Sequence, residues 1–449
     1  MLKKYISIAL LFLSQIVISQ DVNKCNTTNL VNQSIMEDSR NLIAMEEIST
    51  KNNKWVSEHK NDSKTIITVP IVVHIVYKQT HANVGSGTNI SNAQIEDAIR
   101  ILNEDFSKTN PEFPSPPRNT FSNLAADVQL QFCLAASDSS GNPTNGVTRT
   151  STSKTNFDAD TESNDMKRNS TNGKDGWDPE KYLNIWVCDL TNQGGGGMTL
   201  GYAYLPGSVT WSMWKDGLVV DYRYFGTVGV SAPGNDGRTP THEIGHYLGL
   251  MHTFCEETDN NGNPICCDND DNNWGGYVDD TPATKDIYWG SVNSSTNNNT
   301  CNDLSYSNNF NTNVLDMDEN YMAYSSDTWM FTTEQAGVMN GTMNGYRSSL
   351  KNSPASVNCS GTVSINNLLN NNQIRIYPNP TKGKVLIQNL TNYKSENIIF
   401  RNILGEIVII SESNSSLVSV DISSLENGIY FVEISTKNGT RIEKIILSK

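Results

Sequence analysis

The sequence predicts an α+β domain, with a twisted mixed sheet and a histidine-bearing helix, followed by an all-β sandwich of the immunoglobulin-like type. With 449 residues the chain is too long for one compact core. Between residues 65 and 350, segments rich in β-branched residues alternate with helical patterns, whereas the last block of about 75 residues reads as short strands. The polar, aperiodic stretch at residues 352–373 is predicted to be the linker between them.

The N-terminus has the pattern of a cleaved signal peptide, predicted at residues 1–20. Lys3 and Lys4 precede a mostly apolar run from Ile6 to Ile18. This run is too short for a membrane span, which needs roughly 20 apolar residues, and no later stretch approaches that length. We therefore expect an exported protein without a stable membrane span.

Charge and cysteine content narrow the classes of partner and compartment. The formal net charge is -15 and the sequence pI is near 4.9, with scattered Lys and Arg residues, which argues against a nucleic-acid partner. The eight cysteines are expected mainly in disulfides, because compartments beyond the inner membrane are oxidising.

Residues 21–62 are predicted to form a short prosegment. The segment is polar, contains Cys25, and has a mildly periodic stretch from Leu30 to Val56 that indicates helix. A shift in composition follows, so the first domain is predicted at residues 63–351.

The first domain opens on a strand and a helix. Residues 66–77 are rich in β-branched side chains and short enough for one buried strand. Residues 92–106 have helical spacing, and Ser91 with Gln94 resembles a capping box at its start. Further strands are predicted at residues 128–134 and 182–190.

Residues 374–449 are predicted to form the second domain. Seven short alternating segments are divided by turn residues such as Asn379-Pro380 and Asn438-Gly439, a spacing typical of a β-sandwich.

Three of the six histidines lie within one segment of twelve residues. On a helix, His242 and His246 share one face, with Glu243 beside them. Gly249 can adopt positive φ, end the helix and let His252 approach as a third nitrogen ligand. Three such ligands and one open position are typical of catalytic zinc.

Zinc at such a site activates water and polarises a carbonyl, while Glu243 can take the proton and deliver it to the leaving amine. The segment therefore predicts peptide-bond hydrolysis without a covalent intermediate. A chance pattern on an amphipathic helix is the alternative, and five fixed positions, three of them a rare residue, argue against it.

The zinc motif resembles the metzincin signature, and the surrounding residues resemble those of the pappalysin, ulilysin-like, family. The resemblance covers most of residues 65–350 and implies a metzincin fold and an endopeptidase acting on proteins or peptides. It is carried by Gly201-Tyr202-Ala203-Tyr204-Leu205-Pro206, Asp216-Gly217-Leu218-Val219-Val220-Asp221-Tyr222-Arg223-Tyr224-Phe225-Gly226-Thr227, Gly276-Tyr277-Val278-Asp279-Asp280-Thr281-Pro282-Ala283 and Asn320-Tyr321-Met322-Ala323-Tyr324.

The resemblance also implies roles for four residues outside the motif. Met322 would form the hydrophobic floor of the Met-turn, and Tyr324 would stabilise the oxyanion. Asp327 would receive the side chain after the scissile bond, which implies cleavage before Arg or Lys. Trp329 departs from those relatives, which tend to have Cys there. The thiolate of Cys25 would occupy the open zinc position in a zymogen.

Cysteines and acidic residues near the motif leave alternatives open. Cys266 and the adjacent Cys267 should bond outward, which leaves two connectivities with Cys255 and Cys301. Pappalysin relatives often carry calcium nearby, and an EF-hand does not fit the spacing. Cys133 and Cys188 could cross-link or fill the core, and Cys359 has no assigned partner. The oxygen-rich residues are Asp268, Asp270, Asp271, Asn272, Asp279 and Asp280.

The last domain resembles the type A sorting domain of the type IX secretion system. Tyr377-Pro378-Asn379-Pro380, Asn402-x-Leu404-Gly405 and Leu425-x-x-Gly428-Ile429-Tyr430 carry this resemblance. It implies export through the periplasm, the secretion machinery as a partner, and a secreted or surface-attached product. A generic binding sandwich is the alternative.

Two other functions remain open at this point. One is a zinc hydrolase of non-protein amides, and the other is a non-catalytic surface adhesin with a structural metal. Glu243 argues against the adhesin, because a structural site has no use for a base.

Overall fold

The computed structural model describes residues 21–59, 65–192, 197–267, 278–306, 308–351, 353, 355, 374–389, 395–402, 407–411, 417–436 and 439–449. The predicted signal peptide lies outside these residues, as does nearly all of the predicted linker. The chain forms two compact units, residues 1–359 and 360–449.

The first unit combines a sheet with helices. In the described part of this unit the elements are β1 (Asp21–Cys25), α1 (Thr27–Glu37), α2 (Arg40–Glu58), β2 (Ile67–Lys78), α3 (Asn92–Phe106), β3 (Leu130–Leu134), β4 (Val147–Thr152), β5 (Leu183–Cys188), β6 (Gly197–Ala203), β7 (Leu218–Asp221), α4 (Thr239–Tyr247), α5 (Thr333–Asn344) and α6 (Ser348–Lys351).

The sheet is mixed, as predicted. Its order is β1-β6-β7-β5-β2-β3, and β4 also pairs with β2. All described pairings are parallel except β6 with β7. β2 is at the centre and buried along most of its length because its side chains are apolar on both faces, which is typical of covered parallel strands. The strands predicted at residues 66–77, 128–134 and 182–190 are confirmed as β2, β3 and β5.

The start of α3 follows the prediction only in part. Oγ of Ser91 accepts the backbone N–H of Gln94 at 3.1 Å, as a helix cap does. The Gln94 side chain does not return to Ser91. It donates instead to the backbone oxygens of Tyr222 and Phe225, at 2.9 and 3.0 Å, and ties α3 to the loop after β7. The reciprocal half of the predicted capping box is therefore absent, because a tertiary contact takes the amide.

The second unit is all-β. Its described strands form two antiparallel sheets, β11-β10-β13-β14 and β12-β9-β8, whose inward residues share one core. Val385 and Val420 of one sheet and Phe400 and Val432 of the other lie in that core. The strands are β8 (Ile374–Tyr377), β9 (Lys384–Asn389), β10 (Ser395–Arg401), β11 (Ile407–Ser411), β12 (Leu417–Asp421), β13 (Gly428–Thr436) and β14 (Gly439–Leu447). The all-β prediction is confirmed, and the immunoglobulin-like topology stays a prediction.

Disulfides select one of the two connectivities left open. Cys255 bonds to Cys267, and Cys266 bonds to Cys301. Cys188 is a buried free thiol, so the cross-link considered between it and Cys133 is wrong. Cys133 is itself disulfide-bonded.

None of the described helices is long and apolar enough to cross a membrane.

Candidate metal centre and active site

Helix α4 and the turn after it bring three histidines together. Pro240 lies in the first turn, where a missing N–H costs nothing, and His242 and His246 follow one turn apart. Gly249 has φ +101°, so the chain reverses there as expected. His252 then returns towards the helix, and all three imidazoles are buried.

The three Nε2 atoms meet at one point. Their separations are 3.2 Å from His242 to His252, 3.1 Å from His246 to His242 and 3.1 Å from His246 to His252. Nδ1 of His242 donates to the backbone oxygen of Tyr321 at 2.7 Å, and Nδ1 of His246 donates to that of Leu250 at 2.8 Å. A carbonyl only accepts, so in a neutral ring each Nε2 presents a lone pair.

Lone pairs that face one another at this distance repel unless a cation lies between them. Burial and the neighbouring imidazoles also keep the rings of His242 and His246 neutral: burial, then His252, lowers the pKa of His246 to about 3. Burial likewise holds the pKa of His242 well below its usual value. The donor set therefore fits zinc, which prefers neutral imidazole nitrogen.

Cys25 completes the cluster. Its Sγ and the three histidine nitrogens all lie within 4.8 Å of one another. Strand β1 places it there by pairing in parallel with β6, where Cys25 is opposite Gly201. The thiol donates to Thr27 Oγ1 at 3.1 Å, and the Thr27 N–H donates back to Sγ at 3.4 Å.

Glu243 is buried beside these ligands. Its Oε2 accepts from the Cys25 thiol at 3.4 Å and from Thr27 Oγ1 at 3.3 Å, while Oε1 has no protein partner. Burial raises the pKa of Glu243 well above its ordinary value. Its open Oε1 lies against Gly201, where an added Cβ would be 3.0 Å from that oxygen.

Met322 and Tyr324 lie on the loop beneath and beside the histidines. Met322 is fully buried, and a Cβ added to Gly245 of α4 would lie 2.4 Å from its Sδ. The Tyr324 ring is 4.9 Å from that of His252, and its hydroxyl donates to the Cys25 backbone oxygen at 3.3 Å. Met322 thus packs against α4 and Tyr324 lies beside His252, and the roles that the resemblance gives to them stay predictions.

Asp327 is near the site but belongs to a different network. Its carboxylate accepts hydrogen bonds from Ser291 and Ser326. Trp329, the departure from the expected pattern, is buried in a small cluster with Phe121 and Met330. The structure thus leaves Asp327 half-buried, and its described hydrogen bonds do not reach the histidines.

A cleft of about 270 Å³ opens beside His242 and Glu243. Lys24 of β1 reaches into it, and Asp236 and Ser325 are among its other walls.

Several contacting residues were missed by sequence reasoning. Thr27 bridges Cys25 and Glu243, and Glu256 Oε2 lies 3.2 Å from His252 Nδ1. The four-residue spacing of His252 and Glu256 was a usable signal. The sequence around Thr27 gave no such signal, because its contacts with Cys25 and Glu243 depend on the pairing of β1 with β6.

Of the acidic residues considered for calcium, only Asp279 and Asp280 lie in the part of the chain that the structure describes. Asp268, Asp270, Asp271 and Asn272 lie outside the described residues. Asp280 accepts from Thr332 Oγ1 and the Glu334 N–H, at 2.6 and 2.9 Å. Apart from the histidine and cysteine cluster, the described side chains contain no group of three or more His, Cys, Asp or Glu ligands.

Two protein families match separate parts of the chain. The peptidase family described as pregnancy-associated plasma protein-A matches residues 162–344. The family described as the secretion system C-terminal sorting domain matches residues 375–448.

Individual relatives agree with these matches. An extracellular metalloprotease of Arthroderma gypseum is 27% identical over 225 residues, which cover 48% of this chain and 55% of that protein. The chain thus spans little more than half of that relative. Mirolysin in complex with a compound is 33% identical, covers 64% of this chain and 97% of its own, and has a TM-score of 0.50. A Tannerella forsythia promirolysin mutant is 29% identical, covers 74% and 97%, and has a TM-score of 0.55.

Proposed function

The chain belongs to the pappalysin family of metallopeptidases, the family described as pregnancy-associated plasma protein-A, and from this premise we propose that it is a secreted zinc endopeptidase made as an inactive precursor. The observation that carries the proposal is the meeting of three imidazole Nε2 atoms beside a buried carboxylate. A purely structural metal site would not need the carboxylate.

His242, His246 and His252 would hold the zinc. Zinc bound by three imidazoles supplies Lewis-acid activation of a water and of the scissile carbonyl. The chain's own residues then orient the reactants and move the proton.

Glu243 is the proposed general base. Its Oε1, free of protein partners, faces strand β6, which would become the edge of the sheet once β1 is removed and could then pair with a peptide. It takes a proton from the attacking water and delivers it to the leaving amine. The Tyr324 hydroxyl donates its hydrogen bond to the Cys25 backbone oxygen in the precursor. After removal of the prosegment it would donate to the developing oxyanion instead. Met322 supports α4 from below and takes no part in proton transfer.

Cys25 is proposed to keep the precursor inactive. Its thiol contacts Glu243 and lies within the histidine cluster, where a bound zinc would stabilise the thiolate form. Removal of residues 21–62 would free the histidines, the base and the β6 edge together.

For specificity we propose a preference for Arg or Lys directly after the scissile bond, with Asp327 as an acidic determinant. A guanidinium pairs with a carboxylate in two parallel hydrogen bonds, so an acidic wall favours such a residue.

The C-terminal unit, residues 374–449, is proposed to be the sorting signal that the type IX machinery recognises.

Calcium binding near residues 268–280 is a further proposal. A rise in thermal unfolding temperature on adding calcium to the chelated protein would support it, and no change would contradict it.

The test is hydrolysis of a peptide library by the processed chain, with cut sites read by mass spectrometry; active variants process themselves, and inactive ones are processed by added wild-type enzyme that is then removed. Glu243→Ala and a zinc chelator should each abolish cutting, whereas Glu257→Ala, on the exposed loop after the motif, should not. Cuts before Arg or Lys support the specificity; cuts elsewhere remove it but keep the peptidase. A folded, zinc-loaded and processed chain that cuts nothing overturns the proposal.

A further inference from the structure

The prosegment enters the cleft with a second side chain, one residue before the thiol. Nζ of Lys24 donates a hydrogen bond to the backbone oxygen of Ser325 at 2.5 Å. Ser325 is on the loop after Met322, and its own hydroxyl donates to the backbone oxygen of Asp327 at 3.0 Å. A long, flexible ammonium side chain is thus held in the cleft beside His242.

One carboxylate, that of Asp236, shares the cleft with this ammonium. Burial lowers the pKa of Lys24, and the charges of Asp236 and then Asp327 oppose that change. Asp236 lines the same cleft as Lys24 and comes from the loop before α4, whereas Asp327 comes from the loop after Met322. The ammonium therefore shares the cleft with the carboxylate of Asp236.

The positively charged side chain of Arg238, two residues after Asp236, is paired with other acidic residues. The backbone N–H of Arg238 donates to Asp236 Oδ1 at 3.0 Å, but the Arg238 guanidinium turns away. It donates to Asp105 at 3.2 Å and to both oxygens of Glu112, at 2.9 and 2.8 Å. The cleft side of this loop is thus left with an acidic group that a cation from another segment can approach.

The backbone of β1 fixes where Lys24 can point. Asn23 and Cys25 are opposite Thr199 and Gly201 of β6, and neighbouring side chains in a strand alternate between faces. Because Cys25 is directed at the histidines, Lys24 is directed along the loop that carries Ser325. The two contacts come from one short strand and are separate in space.

We propose that Asp236 is an acidic wall of a pocket for a basic side chain, and that Lys24 is the resident occupant of that pocket in the precursor. The prosegment then blocks the cleft twice, with a thiol at the histidines and an ammonium in the pocket. The use of this pocket by substrates rests on the proposed function. The inference adds Asp236 as a specificity-determining residue and Lys24 as a second contact that keeps the precursor inactive.

The first test needs neither metal nor catalysis. In the full chain carrying Glu243→Gln and stripped of metal, the alkylation rate of Cys25 is read by peptide mass spectrometry. Lys24→Gln should expose the thiol and raise that rate about tenfold, since a charge-assisted hydrogen bond is lost. Lys51→Gln, the same change on the exposed surface of α2, should not, and Lys24→Arg should keep the protection.

Asp236 has a matched control. Asp236→Asn keeps the turn that Oδ1 makes with the Arg238 N–H but removes the charge, and Asp259→Asn does the same in an exposed turn elsewhere. The first should accelerate alkylation about as much as Lys24→Gln, and the second should leave it unchanged. Equal alkylation rates for Lys24→Gln and Lys51→Gln would overturn the role of Lys24 as the occupant of the pocket. Equal alkylation rates for Asp236→Asn and Asp259→Asn would overturn the role of Asp236.

A second arm uses the self-processed enzyme with paired peptides that carry Arg or norleucine after the scissile bond. Asp236→Asn should lower kcat/KM for the Arg peptide about tenfold relative to the norleucine peptide. An unchanged ratio overturns Asp236 as a specificity determinant. Because the alkylation arm works without hydrolysis, an inactive chain would refute the proposed function without deciding this inference.

Discussion

The thiol of Cys25 lies 3.4 Å from Oε2 of Glu243, so one prosegment residue contacts both the histidine cluster and the proposed base. Thr27 bonds to both residues and holds this contact in place. Any mechanism of activation therefore has to separate three side chains that share one buried network.

Replacing Cys25 by Ala should weaken latency. The open side of the histidine cluster loses its thiol ligand, so the unprocessed full chain should hydrolyse peptide and process itself faster, by at least tenfold. Cys188→Ala removes the other described free thiol, far from the histidines in sequence and bonded to none of them, and should change neither rate. The cobalt-substituted precursor should also lose its thiolate-to-metal absorption in Cys25→Ala alone. Retention of that band would contradict the assignment.

Glu243→Gln should separate catalysis from metal binding. The amide keeps the size of the side chain but cannot accept the water proton, so kcat should fall by about 10²–10⁴-fold or more. Zinc content, measured on the same samples, should stay at the wild-type level, because none of the three nitrogen ligands is changed. If zinc is lost together with activity, Glu243 has a structural role and the general-base proposal fails.

Much of the fold and part of the site could be predicted because the signals are local. The β-branched run of β2 and the spacing of His242, His246 and His252 lie within single elements. Strands β6 and β7 were missed, since a glycine-rich segment and a four-residue strand have little periodicity. β1 was missed because its polar sequence becomes a strand only by pairing with the edge of β6.

The contacts around the site depend on such non-local pairing. Cys25, Met322 and Tyr324 were assigned by family resemblance. Thr27 and Lys24 could not be assigned, because they contact residues that are more than 200 positions away in the sequence. Asp327 was placed in the same way as the first three; its carboxylate bonds to two serines on the surface, and its role in specificity stays a prediction. Tertiary hydrogen bonds also override local patterns: the Gln94 side-chain amide bonds to the loop after β7 and not to Ser91 at its own helix cap.

Gly245 and Met322 should be energetically coupled. An added Cβ on Gly245 would lie 2.4 Å from Met322 Sδ, so Gly245→Ala should destabilise by about 1–3 kcal/mol through overpacking. Met322→Ala alone should cost about 2–5 kcal/mol, but it opens room for the new methyl group. The double variant should therefore be more stable than the sum of the two losses predicts. Thermal unfolding of the metal-free chain measures all three, and strict additivity would contradict the contact.

Glu256 is predicted to position His252 as a ligand. Its Oε2 lies 3.2 Å from Nδ1, on the side of the ring opposite Nε2. Partners of this kind fix the ring and raise its basicity, so Glu256→Gln should lower zinc affinity about 10–100-fold. Competition with a chromophoric chelator gives that affinity, and Glu257→Gln is the matched control. Equal affinities in the two variants would show that Glu256 does not support the ligand.

Lys167 should make stability rise with pH in alkaline solution. It is fully buried near Trp186 and Tyr204, and burial lowers its pKa to about 7 from 10.5. Between these two values the unfolded chain binds the proton and the folded chain does not, so the folded state gains stability as pH rises through this window. Below pH 7 both states are protonated, and the full cost of burying the charge is present.

Lys167→Met keeps most of the apolar stem and removes the titrating group. Relative to this variant, the wild-type chain should gain about 2 kcal/mol in free energy of unfolding between pH 7 and pH 9, as one proton at about 1.4 kcal/mol per pH unit requires once half-titration at pH 7 is included. Lys51→Met, on the exposed face of α2, should show no such difference. Denaturant unfolding of the first unit at the two pH values measures the change. A wild-type chain that tracks Lys167→Met across this range would mean that Lys167 stays charged in the folded protein, held by the Lys215 carbonyl and the aromatic rings.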